Sequence, residues 1–349
     1  MKLFKPRIPF KEKMFFVEHL AVMLRAAIPI DRALDTLAEQ TDITSFKTIL
    51  IDIRDTVRKG SPFSQGLKQH AGAFGSLFIS MVEAGEYSGK LEEGLRRLYV
   101  QMKKDYDLRA RVTSALVYPA FIVVAMIGIG TAMMVFVMPK LIPLFDGFGA
   151  QLPIATRILI GLSKFITNYI FWIIPVTIIG SILLIHIVRT RLRVQWHAFL
   201  LHIPMMGTLI KKINLARFAR TLGTLLTTDI LVPDALLITA NIMGIEQYKK
   251  VIRAAAEEIK RGIPIAEALK KERALFPPTV HTMIQIGEEA GTLTDLLEEI
   301  ATFYEESVDE STKALASIIE PALIILLGAG VGGIALAILM PMYALMQQV

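Results

Sequence analysis

The chain has 349 residues, 53% hydrophobic and 20% charged, with a mean hydropathy of +0.52 and a formal charge of +6. That apolar share excludes a disordered chain and exceeds what an ordinary soluble domain carries. There is no cysteine, which excludes disulfides, thiol nucleophiles and Cys-ligated zinc or iron–sulfur centres.

Met1 to Lys13 mixes Lys2, Lys5, Arg7, Lys11, Glu12 and Lys13 with isolated apolar residues, unlike the continuous apolar core of a cleavable signal. This segment is expected to stay in the cytoplasm. From Phe16 the pattern turns helical: Phe16, Leu20, Met23, Leu24 and Ala27 fall at i, i+4, i+7, i+8 and i+11, one face of an α-helix. Gly60, Ser61 and Pro62 then read as a C′ residue, an N-cap and the first residue of a new helix. Further on, A-G-E-Y-S-G-K-L (Ala84 to Leu91) places Gly85 and Gly89 around a tight turn, with Glu86 near the start of the helix that follows. Two uses of this turn stay open: support of a helix start by Glu86, and contact with a partner. A phosphate loop is excluded, because the glycines are one residue too close and Leu91 stands where a Ser or Thr should hold magnesium.

Three charge-poor stretches follow, each at least as long as the roughly 20 apolar residues that cross a bilayer. They are Val112 to Pro139, Phe165 to Val188 with Trp172 near its start, and the charge-free run from Pro321 to Val349. Lys103, Lys104, Arg109 and Arg111 precede the first span, and Arg189, Arg191, Arg193, Lys211 and Lys212 follow the second. By the positive-inside rule both flanks are cytoplasmic, so the N-terminus is inside and the C-terminus outside.

The strongest signal is a repeat at a single offset. Phe16 pairs with Phe218, Leu24 with Leu226, Leu34 with Leu236, Gly60 with Gly262, Pro62 with Pro264, Phe74 with Phe276, Gly85 with Gly287 and Pro119 with Pro321, every difference being 202. A gapless repeat of this length is a duplication of one cytoplasmic domain plus the span that follows it, since solenoid repeats have periods of about 20–50 residues. The second copy carries I-G-E-E-A-G-T-L, so Gly287, Glu288 and Gly291 repeat the turn; Ile263 replaces the Ser61 cap, which predicts a weaker helix start there.

The fold expected is all-α: a polytopic membrane protein with two duplicated cytoplasmic helical-bundle domains of about six helices each and three transmembrane helices. The boundaries read as a first domain over 1–111, spans over 112–139 and 165–188 joined by a short external loop over 140–164, a second domain over 189–317, a third span over 318–343 and an external tail over 344–349. The last helix of the first copy, from about Leu91, should run unbroken toward the membrane. Tyr118-Pro119 and Glu320-Pro321 mark the two matched membrane entries, where a proline frees a backbone carbonyl and bends the helix. Glu320 reads equally as snorkelling to the interface or as paired inside a helix assembly. Gly328 and Gly332, with Gly330 and Gly333, give a small-residue face suited to close helix packing. The six histidines are scattered, no H-E-x-x-H, G-x-S-x-G or G-x-G-x-x-G occurs, and the acidic pairs lie on a solvated helical run. No catalytic, cofactor-binding or metal site is expected.

The R-V-T-S-A-L-V-Y-P entry to the first span, the L-P-x-x-T loop (Leu152, Pro153, Thr156), the paired G-E-x-x-G turns and the M-P exits at Met138-Pro139 and Met340-Pro341 resemble the inner-membrane platform proteins of type II secretion, type IV pilus and competence-pilus machines, the GspF/PilC family. The resemblance covers roughly residues 10–345. It implies a non-enzymatic, homo-oligomeric scaffold in the bacterial inner membrane that couples a cytoplasmic assembly ATPase to pilin or pseudopilin polymerisation, alongside other inner-membrane assembly proteins and membrane lipid, and without nucleic acid. Set beside the longer pilus members, the chain is expected to be without their N-terminal extension before the first domain. Glu289 stands where the first copy has Tyr87, and Glu320 where it has Tyr118, which points to different jobs for the two halves. A small transporter or transport-accessory protein is the alternative, although three spans, one unduplicated, make a poor alternating-access core.

Overall fold

A computed structural model describes residues 8–146, 153–190, 192–228 and 230–346. In chain order the helices are α1 (Phe10–Arg25), α2 (Ile30–Gln40), α3 (Thr44–Arg58), α4 (Phe63–Gln69), α5 (Ala71–Phe74), α6 (Ser76–Tyr87), α7 (Leu91–Ala132), α8 (Met138–Asp146), α9 (Ile154–Thr190), α10 (Arg193–His202), α11 (Met206–Leu226), α12 (Val232–Ile242), α13 (Glu246–Ile259), α14 (Ile265–Lys270), α15 (Pro278–Ala290) and α16 (Leu293–Met346). A π-helical turn, Met133–Val137, joins α7 to α8. The described residues contain no strand. They form two compact units, one from Met1–Ala110 with His197–Asp309 and one from Arg111–Trp196 with Glu310–Val349.

In the first unit, short helices form because each carries an apolar stripe that its neighbours bury. Ala33, Leu34, Leu37 and Ala38 of α2 face Phe46, Ile49, Leu50 and Ile53 of α3, all buried. Gly60, at φ +85°, ends α3 in the left-handed region that an L side chain resists. At the centre Phe16 meets Phe46 edge-on at 5.7 Å and Phe74 at 6.0 Å. The same nest stands 202 residues later, where Phe276 meets Phe218 at 5.0 Å and Tyr248 at 5.4 Å. Tyr248 replaces Phe46 and is fully buried, so its hydroxyl donates to the Leu275 carbonyl at 2.9 Å. Burial pushes the pKa of this phenol far above its usual value. The counterparts are not helix-for-helix: where the first half has α5, residues 271–275 form a turn.

Among the described residues three helices are long and apolar enough to cross a membrane: Leu91–Pro143, Thr156–Val188 and Leu293–Ala337; the first and third begin in the first unit and continue into the second. α7 runs unbroken from Leu91, with Pro119 inside it. The segment over 140–164, expected as a loop, is helical at both ends, since α8 reaches Asp146 and α9 starts at Ile154. Its place between two spans predicts a loop, but two of its polar residues are satisfied inside the unit. Thr156, fully buried, donates to the Ala337 carbonyl of α16 at 2.8 Å, and Ser163 donates to the Met134 carbonyl at 2.7 Å, in the π-turn. The Ser163 hydroxyl thus gives the Met134 carbonyl a donor from outside its own helix. Met134, Met138 and Ile160 form the apolar cluster beside these bonds, with Ile334 of α16 against it.

Candidate functional site

The paired glycine–glutamate turns divide their labour differently from the expectation. Gly85 lies inside α6, and a Cβ there would meet the Leu91 Cα at 3.3 Å and the Gly94 Cα at 3.4 Å; at Gly287 it would meet the Leu293 Cα at 2.8 Å. These two glycines let a helix cross the start of the long helix that follows. The reversal itself is made by Gly89 at φ +68° and Gly291 at φ +70°.

Glu86 and Glu288 sit at the ends of α6 and α15, not at the start of the next helix. Each reaches back to an earlier one. The Glu86 carboxylate accepts from the Phe63 amide at 2.6 Å and the Ser64 amide at 2.9 Å. Glu288 accepts from the Ile265 amide at 2.6 Å and the Ala266 amide at 3.0 Å. Both oxygens of each carboxylate therefore satisfy amides that the first turn of α4 or α14 leaves unpaired. This corrects two expectations: the helix that Glu86 supports, and the role of Ser61, whose side chain does not cap α4. Ile263 is no loss either, because a glutamate caps both helices in the same way.

A second constellation joins α7 to α11. Gln101 of α7 is 4% exposed. Its amide nitrogen donates to Thr221 Oγ1 at 3.2 Å, and its oxygen accepts from Thr224 Oγ1 at 3.0 Å, both on α11. One turn either way, Arg97 donates to the Thr227 carbonyl at 2.8 Å and Asp105 pairs with Arg217 at 2.8 Å. Lys104 reaches Glu305 of α16 at 3.5 Å. Beside this seam Arg220, 7% exposed, bonds Glu305 at 2.9 Å and pairs with Glu298. Burial by itself would lower the Arg220 pKa; the bonds to Glu305 and Glu298 outweigh it and hold the pKa above its ordinary value. The signal that finds this seam is departure from the repeat. Gln101, Asp105, Arg217, Thr221 and Thr224 have Phe303, Ser307, Phe15, His19 and Val22 as their counterparts.

The membrane-entry residues are not gathered into a site. Tyr118 is 57% exposed, Glu320 is exposed without an ion pair among the described residues, and Pro119 and Pro321 lie inside continuous helices. A Cβ at Gly328, Gly330, Gly332 or Gly333 would meet nothing within 4 Å, so the small-residue face packs against no other helix among the described residues. Leu152, quoted above in the L-P-x-x-T loop, lies outside the described residues.

Comparison with known proteins gives the same two-part pattern. Residues 16–139 and again 218–341 match the family described as type II secretion system (T2SS), protein F. Among similar proteins, the type IV pilus assembly protein TapC of Aeromonas hydrophila is 33% identical over 328 residues, covering 93% of this chain and 79% of the relative. The type IV pilus assembly protein PilC of Myxococcus xanthus is 33% identical, covering 96% and 80%. The type II secretion system protein F of Vibrio cholerae is 31% identical, covering 97% and 83%. Two matches that begin at Phe16 and Phe218, the offset found in the repeat, and that together span more than half of the residues place this chain in the type II secretion system protein F family.

Proposed function

We infer that this protein is a non-enzymatic inner-membrane platform of a type II secretion or type IV pilus-like machine, coupling a cytoplasmic assembly ATPase to the polymerisation of pilin or pseudopilin subunits. In this reading two duplicated helical domains of about six helices each face the cytoplasm and three spans anchor them, with the N-terminus inside and the C-terminus outside. The observation that carries it is the family match, made twice, with each matched segment ending in a helix long and apolar enough to cross a membrane. The names of the relatives, which cover most of the chain, support the choice of machine. The residues that stand out also suit a scaffold. Glu86 and Glu288 hold backbone amides, and Gln101, Asp105 and Arg220 hold neighbouring helices.

The partners in this reading are the ATPase, pilin or pseudopilin, other inner-membrane assembly proteins, membrane lipid and further copies of the chain. The test is to delete the gene in its host and measure filament assembly and secretion, then to ask whether the tagged chain co-purifies with the ATPase from detergent extracts. Loss of assembly or secretion together with ATPase recovery is expected. A host that assembles filaments and secretes normally without the chain would overturn the reading.

A further inference from the structure

The seam between α7 and α11 has a symmetry that can be tested by arithmetic with the repeat offset. If the two repeats faced each other about a two-fold axis, every contact would recur with the roles exchanged. The contact of Gln101 with Thr221 and Thr224 would then return as Phe303 against His19 and Val22 (101 + 202 = 303; 221 − 202 = 19; 224 − 202 = 22). It does not return: Phe303 is 60% exposed and Val22 54% exposed. The Phe303 ring touches its neighbour Tyr304, and His19 stacks on Phe15 of its own helix. The contact is therefore heterologous. One face of each kind is used inside the chain, and one of each kind is left open.

The open faces differ in chemistry from the used ones. At the centre, where the used seam has glutamine and threonine, the open faces carry Phe303 on α16 and Phe15 and Val22 on α1. At the two ends they carry charge. The Lys104 contact with Glu305 translates into Glu306 opposite Lys103, and the Arg97 contact, which is to the Thr227 backbone carbonyl, translates into Glu299 beside the backbone of Arg25. Glu306 and Lys103 are of opposite sign. Lys103, Glu299 and Glu306 are exposed and make no ion pair among the described residues, and Arg25 makes only a surface contact with Glu92 at 3.3 Å. Aromatic and aliphatic side chains flanked by complementary charges are the composition of an interface core with its rim.

We propose that a second copy of this chain docks on these faces head to tail, the α1 face of one chain seated on the α16 face of the next. The step that relates the two repeats within a chain is then repeated between chains. Because the contact is heterologous, each added chain leaves one face of each kind unfilled, and association continues past two chains until a ring closes. The proposal deepens the scaffold reading above and rests on it for the expectation of self-association, but the surface it names is tested separately from the machine it serves.

The absence of native cysteine makes the test direct. Two full-length chains with different tags, one Val22→Cys and one Phe303→Cys, are co-expressed, and the membranes are oxidised. A covalent dimer carrying both tags is expected, with none from either variant alone and a ladder beyond dimer from the double variant. Phe15→Cys with Ser307→Cys, the translation of the Arg217–Asp105 pair, is the second reporter and should behave alike. In the charge arm, Glu306→Lys should lower the mixed-dimer yield about five-fold, and Lys103→Glu on the opposing chain should restore it. Absence of the mixed dimer in both reporter pairs at normal membrane abundance, or same-site dimers of Val22→Cys or Phe303→Cys in equal amount, would overturn the proposal. Failure of charge restoration would also overturn it. Filament assembly or secretion is scored in the gene-deletion strain, so a failure of the surface and a failure of the function are read in different assays.

Discussion

Removing the Glu86 carboxylate should loosen α4 at its start. That helix has seven residues, too few to persist without tertiary support, and it delivers Phe63 and Leu67 to the core at 1% and 0% exposure. Glu86→Ala removes two charge-assisted bonds at once. Each is worth about 1.5–3 kcal/mol when dry, and Glu86 is only half-buried, so water can recover part of the loss; about 2–3 kcal/mol in total is a reasonable estimate. Glu86→Gln keeps one acceptor oxygen but turns an NH2 toward the other amide, costing about 1–2 kcal/mol. Hydrogen exchange on the detergent-solubilised chain reads this locally. At about 1.4 kcal/mol per factor of ten, the Phe63 and Ser64 amides should exchange roughly 30- to 150-fold faster in the Ala variant and less so in the Gln variant. Glu288→Ala should do the same to Ile265 and Ala266. Unchanged exchange at these amides in an otherwise native Ala variant would refute the capping account. Assembly measured beside it separates the two uses of the turn. A Glu288→Gln protein with near-normal exchange and membrane abundance that abolishes filament or pseudopilus assembly would assign Glu288 to a partner contact instead.

Arg220→Ala should destabilise the first unit by about 2 kcal/mol, because it leaves the Glu305 carboxylate, whose side chain is 15% exposed, with only the longer Lys104 contact at 3.5 Å, and a drop of several degrees in Tm should be seen by scanning calorimetry or thermal fluorescence. Tyr248→Phe leaves the buried Leu275 carbonyl without its donor and should cost about 1–2 kcal/mol in the same assay. The hydrogen bond from Arg54 holds the Asp35 carboxyl below its usual pKa of 3.8. Its folded pKa thus lies below the unfolded one, so its stabilisation is complete above the unfolded value and is lost as pH falls through the folded value; acid titration of Asp35→Asn should show a smaller loss of stability in that window than the parent. Reporters fused after Ala150 and after Gln348 should report the external side and one near Lys250 the cytoplasm; a cytoplasmic signal at Ala150 would sink the three-span topology. Residues 10–108 expressed alone should be soluble and helical by circular dichroism, and an insoluble or β-rich product would count against a self-sufficient repeat.

What could be read from the residues alone was whatever has a short period or a constant offset. The stripe of Phe16, Leu20 and Leu24, the spans and the 202-residue repeat are of this kind, and they led to a helical chain with three long apolar helices. The turn sequence places Glu86 near the start of the helix that follows, whereas the amides it holds belong to the start of an earlier one. A cap is recognised in sequence by proximity to the turn it serves, whereas the Phe63 amide lies 23 residues upstream and is brought close only by the packing of α6 on α4. The helical start of α9 was hidden for a related reason. Pro153 and Thr156 read as loop chemistry, and only the Ala337 carbonyl, 181 residues away, explains a buried threonine there. The seam at Gln101 leaves its trace in the sequence only as divergence: its members differ between the two copies, and a constant offset marks agreement alone.

The polar character of that seam bears on how the first unit can move. Gln101, Thr221, Thr224, Asp105 and Arg217 bond to one another across α7 and α11, and each of these groups is also content in water. Parting two apolar faces would cost about 25 cal/mol for every Å² exposed, but hydrogen bonds exchanged for water lose far less. Opening the polar part of the seam therefore costs less per contact than opening the apolar one, where Leu98 and Met102 of α7 and Leu222 and Leu225 of α11 are buried. Of the contacts that join α7 to α11, these polar ones are the first to exchange with water.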